Sequence, residues 1–196
     1  MEYQFSKIVD PSLFDSKGLI ADIPVRKNLF SEAEYFKGAL DPKYPLMSVD
    51  IPECRPERLE IVAYANEFAF LYDDATEYMA HDQVIVSMNE SIRLFLEAAE
   101  TGHMNPQGSG INNMQAQMFK EMATIDQPRT MVAMKAWAEF LQLTSSRYRR
   151  RRFETLDEYI PYRVWDVGQM HMFGLITFGM GLTIPESDME KCTKDT

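Results

Sequence analysis

Three acidic residues within five positions, Asp73, Asp74 and Glu77 in the stretch Asp73-Asp74-Ala75-Thr76-Glu77, are the clearest candidates for chemistry in this chain. On a helix, Asp73 and Glu77 sit one turn apart and Asp74 stands beside Glu77. Carboxylates crowded in this way repel one another unless a cation lies among them. Hard oxygen donors in that arrangement suit magnesium. A solvated, acidic helix end has the same composition, and short patterns of this kind often arise by chance. Position weighs against that plain reading. Leu59, Val62, Asn66, Phe70, Asp73 and Glu77 follow each other at spacings of three and four, which traces one face of a helix. The acids are therefore expected to point toward the core, where a carboxylate needs a partner.

A helix bearing such a stripe needs others to pack on, and the sequence supplies them. Residues 1–55 read as loops and short helices, punctuated by Pro11, Gly18, Pro24, Gly38, Pro42, Pro45 and Pro52. Pro56 suits a first helical turn, where its missing N–H is of no consequence, and opens the long helix that carries the acids. Further helices are expected from Asp82 to Ala99, Asn113 to Ile125, Arg129 to Ser146 and about Leu156 to Leu182, the last opened by Thr155 and Glu158 as a capping box. No segment alternates with period two over a sustained length, so the fold class is all-α, in one domain over residues 1–196. The loop Thr101-Gly-His-Met-Asn-Pro-Gln-Gly-Ser-Gly110 has no following Lys-Ser/Thr and no preceding strand, so it reads as a turn and not as a phosphate-binding loop.

Composition narrows the class further. An apolar fraction of 45% is enough for a core. Thirty acidic against twenty basic residues give a net charge of -10, which disfavours nucleic acid as a partner because its phosphates would be repelled. The basic run Arg147-Tyr-Arg-Arg-Arg-Arg152 reads as a solvated helix end. Cys54 and Cys192 are too few and too far apart for a disulfide framework or a zinc site. The first residues, MEYQFSKIVD, lack a basic region and an apolar core, so no signal peptide is expected and a cytoplasmic location is. The longest apolar stretch, Met172 to Ile184, holds three glycines and falls short of the ~20 residues of a membrane span.

Two segments carry a family resemblance. Glu67-Phe-Ala-Phe-Leu-Tyr-Asp-Asp-Ala-Thr-Glu77 resembles the aspartate-rich, metal-binding helix of class I terpene synthases. Thr155-Leu-Asp-Glu-Tyr-Ile-Pro-Tyr-Arg-Val-Trp-Asp-Val-Gly168 resembles the helix that senses diphosphate in microbial and fungal terpene cyclases. The resemblance implies that Asp73, Asp74 and Glu77 bind Mg2+. It also implies that Arg163 binds the diphosphate, and that Asp166 couples it to a helix break near Val167 and Gly168. Val164 and Trp165 would lie in the substrate-binding stretch between them. Arginine can fork onto phosphate oxygens, and an aspartate at i+3 can hold its guanidinium. The same pair on a plain surface would be worth only about 0.2–0.5 kcal/mol.

Glu53-Cys-Arg-Pro-Glu-Arg-Leu-Glu-Ile-Val, the loop from Thr101, Met134-Lys-Ala-Trp and Phe178-Gly-Met-Gly-Leu-Thr-Ile-Pro are also similar to the cyclase half of fungal bifunctional synthases. Those enzymes fuse a cyclase to a prenyltransferase and make di- and sesterterpenes. The resemblance covers most of residues 1–190. It implies a class I helical bundle and a lyase that ionises and cyclises a C20 or C25 isoprenyl diphosphate in secondary metabolism. The implied partners are that substrate and a prenyltransferase or a complementary cyclase fragment, and a homo-oligomer is compatible with it.

The chain also departs from the family. The second metal motif, Asn-x-x-x-Ser-x-x-x-Glu, should follow the arginine sensor, yet no asparagine follows Gly168 and Asp188 to Asp195 lacks the spacing. Lys27 to Phe36 looks shortened by one helix. A truncated cyclase domain is therefore expected, and the alternative is an inactive remnant or a helical partner protein. Phe68, Phe70, Trp165, Phe173 and Phe178 are core residues by default, or guides for a cation through their ring faces. His171 reads as a buried, hydrogen-bonded histidine with no chemical role.

Overall fold

A computed structural model describes residues 3–14, 17, 23–31, 46–77, 110–146, 152–185 and 187–188, with single positions and pairs between 83 and 101. The side chains of Glu77, Trp165 and a few other helical residues fall outside the description. Strands β1 (Ser6–Ile8) and β2 (Arg26–Asn28) pair antiparallel, Ser6 opposite Asn28. Helices α1 (Leu46–Asp50), α2 (Pro56–Glu77), α3 (Gly110–Ser146), α4 (Leu156–Asp166) and α5 (Gln169–Met180) follow. The described positions between 83 and 101 are helical as well, with Arg93 in ion pairs to Glu90 and Glu97. The all-α expectation holds. None of the described helices is long and apolar enough to cross a membrane.

The β1–β2 ribbon corrects the expectation of loops and short helices alone before residue 55. Its strands of three residues are too short to show alternation. Glu53 fastens the ribbon to the helices by accepting the backbone N–H groups of Gln4 and Phe5 (2.9 and 3.2 Å) and the Ser6 hydroxyl. Ser6 in turn accepts from Arg26 Nε at 2.7 Å.

The first half of α2 is enclosed on nearly every side, with Arg58, Leu59, Ile61, Val62, Ala63 and Ala65 all buried. Against it lies α3, which runs as one element through two expected helices. Asp126 leaves helical geometry (φ -157, ψ 87) and Pro128 follows, so the two halves meet at a kink where proline has no N–H to give. That kink is wired to the rest of the bundle. Arg58 donates to the Phe178 carbonyl at 2.7 Å and to Asp126 at 2.8 Å. Arg129 donates to Asp126 at 2.7 Å and to the Leu182 carbonyl at 2.8 Å.

Helix α5 approaches α3 closely because its contact residue has no side chain. A Cβ on Gly174 would lie 2.9 Å from the Ala133 Cα and 3.2 Å from the Ala136 Cβ, and the backbone atom cannot swing away. Gly174→Val is expected to lower stability by about 1–3 kcal/mol through overpacking, read as a lower urea midpoint. A midpoint equal to wild type would mean that the helices can part freely.

Candidate functional site

The carboxylate end of α2 differs from the expectation in one respect. Along the stripe, Leu59 and Val62 are fully buried and Asn66 nearly so, but Phe70 is 52% exposed and Asp73 and Asp74 are exposed. The acids therefore leave the core instead of pointing into it. In the second half of α2 the packing partner is Trp137 of α3, whose indole lies 6.1 Å from the Phe68 ring and 5.6 Å from the Tyr72 ring. Tyr72 is buried, and each helical step turns about 100°, so seating Tyr72 inward turns Asp73 onto the open flank. Glu77 closes the helix, and its side chain lies outside the described residues.

Among the described residues no group of three or more His, Cys, Asp or Glu side chains could hold a metal by itself. Two adjacent exposed carboxylates, Asp73 and Asp74, are nevertheless a donor set that fits magnesium. That ion is commonly held by one or two carboxylates, with water and substrate phosphates completing its shell.

The second constellation has the expected geometry. Arg163 Nη1 donates to Asp166 Oδ2 at 2.8 Å, with the arginine side chain 49% exposed. The Tyr162 hydroxyl reaches the other carboxylate oxygen at 3.3 Å. One contact leaves most of the guanidinium's five donors for another anion. Helix α4 opens at Thr155, whose hydroxyl accepts the Glu158 N–H at 3.3 Å, and ends at Asp166. Val167 N still bonds Arg163 O, but Gly168 adopts a left-handed conformation (φ 76, ψ 30) and α5 starts anew at Gln169. The single long helix expected from 156 to 182 is thus two, divided at the expected place. Only glycine takes that φ without strain. Val164 is partly buried, and the Trp165 side chain is outside the description.

His171 is buried as expected, yet its Nε2 has no hydrogen-bond partner among the described residues. Burial pushes its pKa down to about 4, so the ring is neutral near pH 7. Cys54 is also buried and free, its thiol pushed up to about 12 by burial. Cys192, the residues 102–109 of the glycine-containing loop and 147–151 of the basic run lie outside the described residues. Sequence reasoning gave no role to Tyr72, Trp137 or the Arg58–Asp126 pair. An aromatic next to the acids was the one available signal.

Comparison with known proteins bears on the family and the fold. Residues 64–194 match the family model described as terpene synthase family 2, C-terminal metal binding. The chain is 41% identical to fusicoccadiene synthase of Phomopsis amygdali, over 98% of its own length and 30% of that protein's. It is 36% identical to a bifunctional sesterterpene synthase of Aspergillus aculeatus, again over 98% of itself and 30% of the relative. It thus spans about a third of the length of the curated relatives it matches. Aristolochene synthase of Penicillium roqueforti shares the fold, with a TM-score of 0.62 at 19% identity over 82% of this chain and 52% of that one. The match across residues 64–194, together with these relatives, shows that the chain belongs to the terpene synthase family.

Proposed function

We propose that this chain carries the ionisation machinery of a class I terpene cyclase acting on a C20 or C25 isoprenyl diphosphate, geranylgeranyl or geranylfarnesyl diphosphate. The supporting observation is Arg163, half exposed, clamped by Asp166 two residues before a left-handed break at Gly168. Arg163 binds the diphosphate oxygens, and Asp166 fixes the direction of its guanidinium. The C–O bond to C1 of the isoprenyl chain breaks, its electron pair leaving with diphosphate and an allylic cation remaining. Attack by the isoprenyl group's own double bonds closes rings, and transfer of a proton from the final cation to the released diphosphate or to water forms the alkene and ends the reaction. The substrate lies against the helix break at Gly168 and the stretch through Val164 and Trp165. Asp73 and Asp74, with Glu77, hold Mg2+. That ion, when bound, neutralises charge developing on the leaving diphosphate.

The test is incubation of the purified chain with each diphosphate and Mg2+, followed by measurement of released diphosphate and of hydrocarbon products. Cyclic products from one of the two substrates support the reading. A second reading rests on the sequence given, which holds no Asn-x-x-x-Ser-x-x-x-Glu pattern. In it the chain works with a complementary cyclase chain, or beside a prenyltransferase that supplies the substrate, in the cytoplasm and as a monomer or homo-oligomer. Activity only after adding a chain that carries Asn-x-x-x-Ser-x-x-x-Glu supports this version. Silence under both conditions, with the fold intact, leaves an inactive remnant.

A further inference from the structure

The two halves of the proposed site stand on different helices, and one side chain touches the supports of both. Trp137 is 1% exposed. Its indole packs edge-on against Tyr72, the neighbour of Asp73, at 5.6 Å and 79°. It also packs against His171, three residues beyond Gly168, at 4.7 Å and 62°. One turn along α3, Phe140 packs against Trp137 at 5.5 Å and lies 3.7 Å from the place a Gly168 Cβ would occupy. A continuous stack therefore runs from the metal-binding end of α2 to the break between α4 and α5.

The stack also encloses polar ring atoms. Trp137 Nε1–H and His171 Nε2 are both buried without a hydrogen-bond partner among the described residues. Buried polar atoms left unmatched are unfavourable, and native structures keep few of them. Purely apolar rings would fill the same space without that penalty. Interiors this dense transmit displacement instead of absorbing it. We propose that Trp137 is a positioning residue that couples Asp73 to Arg163, so that each half of the site is set by the other through Tyr72, the indole and His171. This inference rests on the ionisation reading above.

The experiment measures binding of inorganic pyrophosphate in the presence of Mg2+ by calorimetry, using the full chain. Wild type, Asp73→Ala, Arg163→Ala and the double variant form one cycle, repeated in a Trp137→Phe background and a Leu141→Ala background. In wild type the two residues should couple by about five- to tenfold in affinity. With Trp137→Phe, which keeps a ring in the slot and hence the fold, coupling should fall by about threefold, to the part that the shared pyrophosphate itself carries. Leu141 is fully buried on the same helix, so Leu141→Ala should lower the melting temperature while leaving the coupling as it was. Coupling unchanged by Trp137→Phe, or lowered equally by Leu141→Ala, overturns the proposal. A wild-type chain whose pyrophosphate affinity ignores both Asp73 and Arg163 overturns the ionisation reading, and the brace with it. As a spectroscopic check, the indole N–H resonance absent from Trp137→Phe should shift as Mg2+ and pyrophosphate are added, and a stationary resonance also overturns the brace.

Discussion

Asp73→Ala and Arg163→Ala should each reduce turnover by about 10²–10³-fold, the scale on which one electrostatic contact to a leaving or developing anion acts. In the proposed reaction both residues serve one leaving group, Arg163 by direct contact and Asp73 through the cation it would hold. Groups that act as a unit do not contribute additively. The double variant should therefore be little worse than the poorer single variant, instead of showing the product of the two losses. Turnover is measured on the chain alone or with its complementing chain, whichever is active. Arg152→Ala, on an exposed residue outside the site, should leave the rate close to wild type. Losses that simply multiply would mean that the two residues work on different steps. If Asp73→Ala has no effect, the carboxylate end of α2 is not part of the site.

Asp126→Ala should destabilise the fold by about 3–5 kcal/mol, because it strands the charge of Arg58. The two side chains are 7% and 9% exposed and 2.8 Å apart, and Arg129 shares the same carboxylate at 2.7 Å. Burial alone would raise the Asp126 carboxyl, but hydrogen bonds from Arg129 and Arg58 outweigh it and hold the group below its ordinary value of 3.8. Its contribution is therefore complete above the unfolded-state value of about 3.9. It is lost progressively as pH falls from there through the lower folded-state value. Urea midpoints taken from pH 7 down to pH 3 should drop more steeply for wild type than for Asp126→Asn below about pH 4. Parallel curves would show that Asp126 titrates alike in the folded and unfolded chain, so that the two arginines do not hold its carboxyl down. Arg58→Met should cost less than Asp126→Ala, since Arg129 still compensates the carboxylate.

Much of this architecture is readable in the residues, for reasons that also mark where reading stops. Thr155 and Glu158 announce a helix start through a local bond. Gly168 permits the backbone that divides α4 from α5, and Pro128 marks the kink in α3. Each of these is decided within a few residues. The exposure of Asp73 is not. Periodicity places Asp73 on the same stripe as Leu59 and Val62, but only the position of Trp137, 64 residues further along, decides which flank of α2 is covered at that level. The stripe is buried at one end and open at the other. That His171 Nε2 has no partner among the described residues depends in the same way on what α3 presents to α5. Arg58 and Asp126, 68 residues apart, give no local sign of each other. Local signals of helix starts and breaks are legible in the sequence, while contacts between helices such as Tyr72–Trp137 and Arg58–Asp126 come from remote packing.

The bond from Arg58 to the carbonyl of Phe178 spans 120 positions, and this has a consequence during synthesis. At about 5–20 residues per second, a ribosome takes roughly 6–24 seconds to proceed from one partner to the other. Throughout that interval α2 can coil, and α3 can begin to lie against it once it emerges. The guanidinium at the head of α2, however, lacks one of the acceptors that make its burial tolerable, and must stay hydrated. The nascent bundle therefore keeps a wet seam beside Arg58 until the segment of α5 is released. It is then a natural client for chaperones that hold incompletely closed chains.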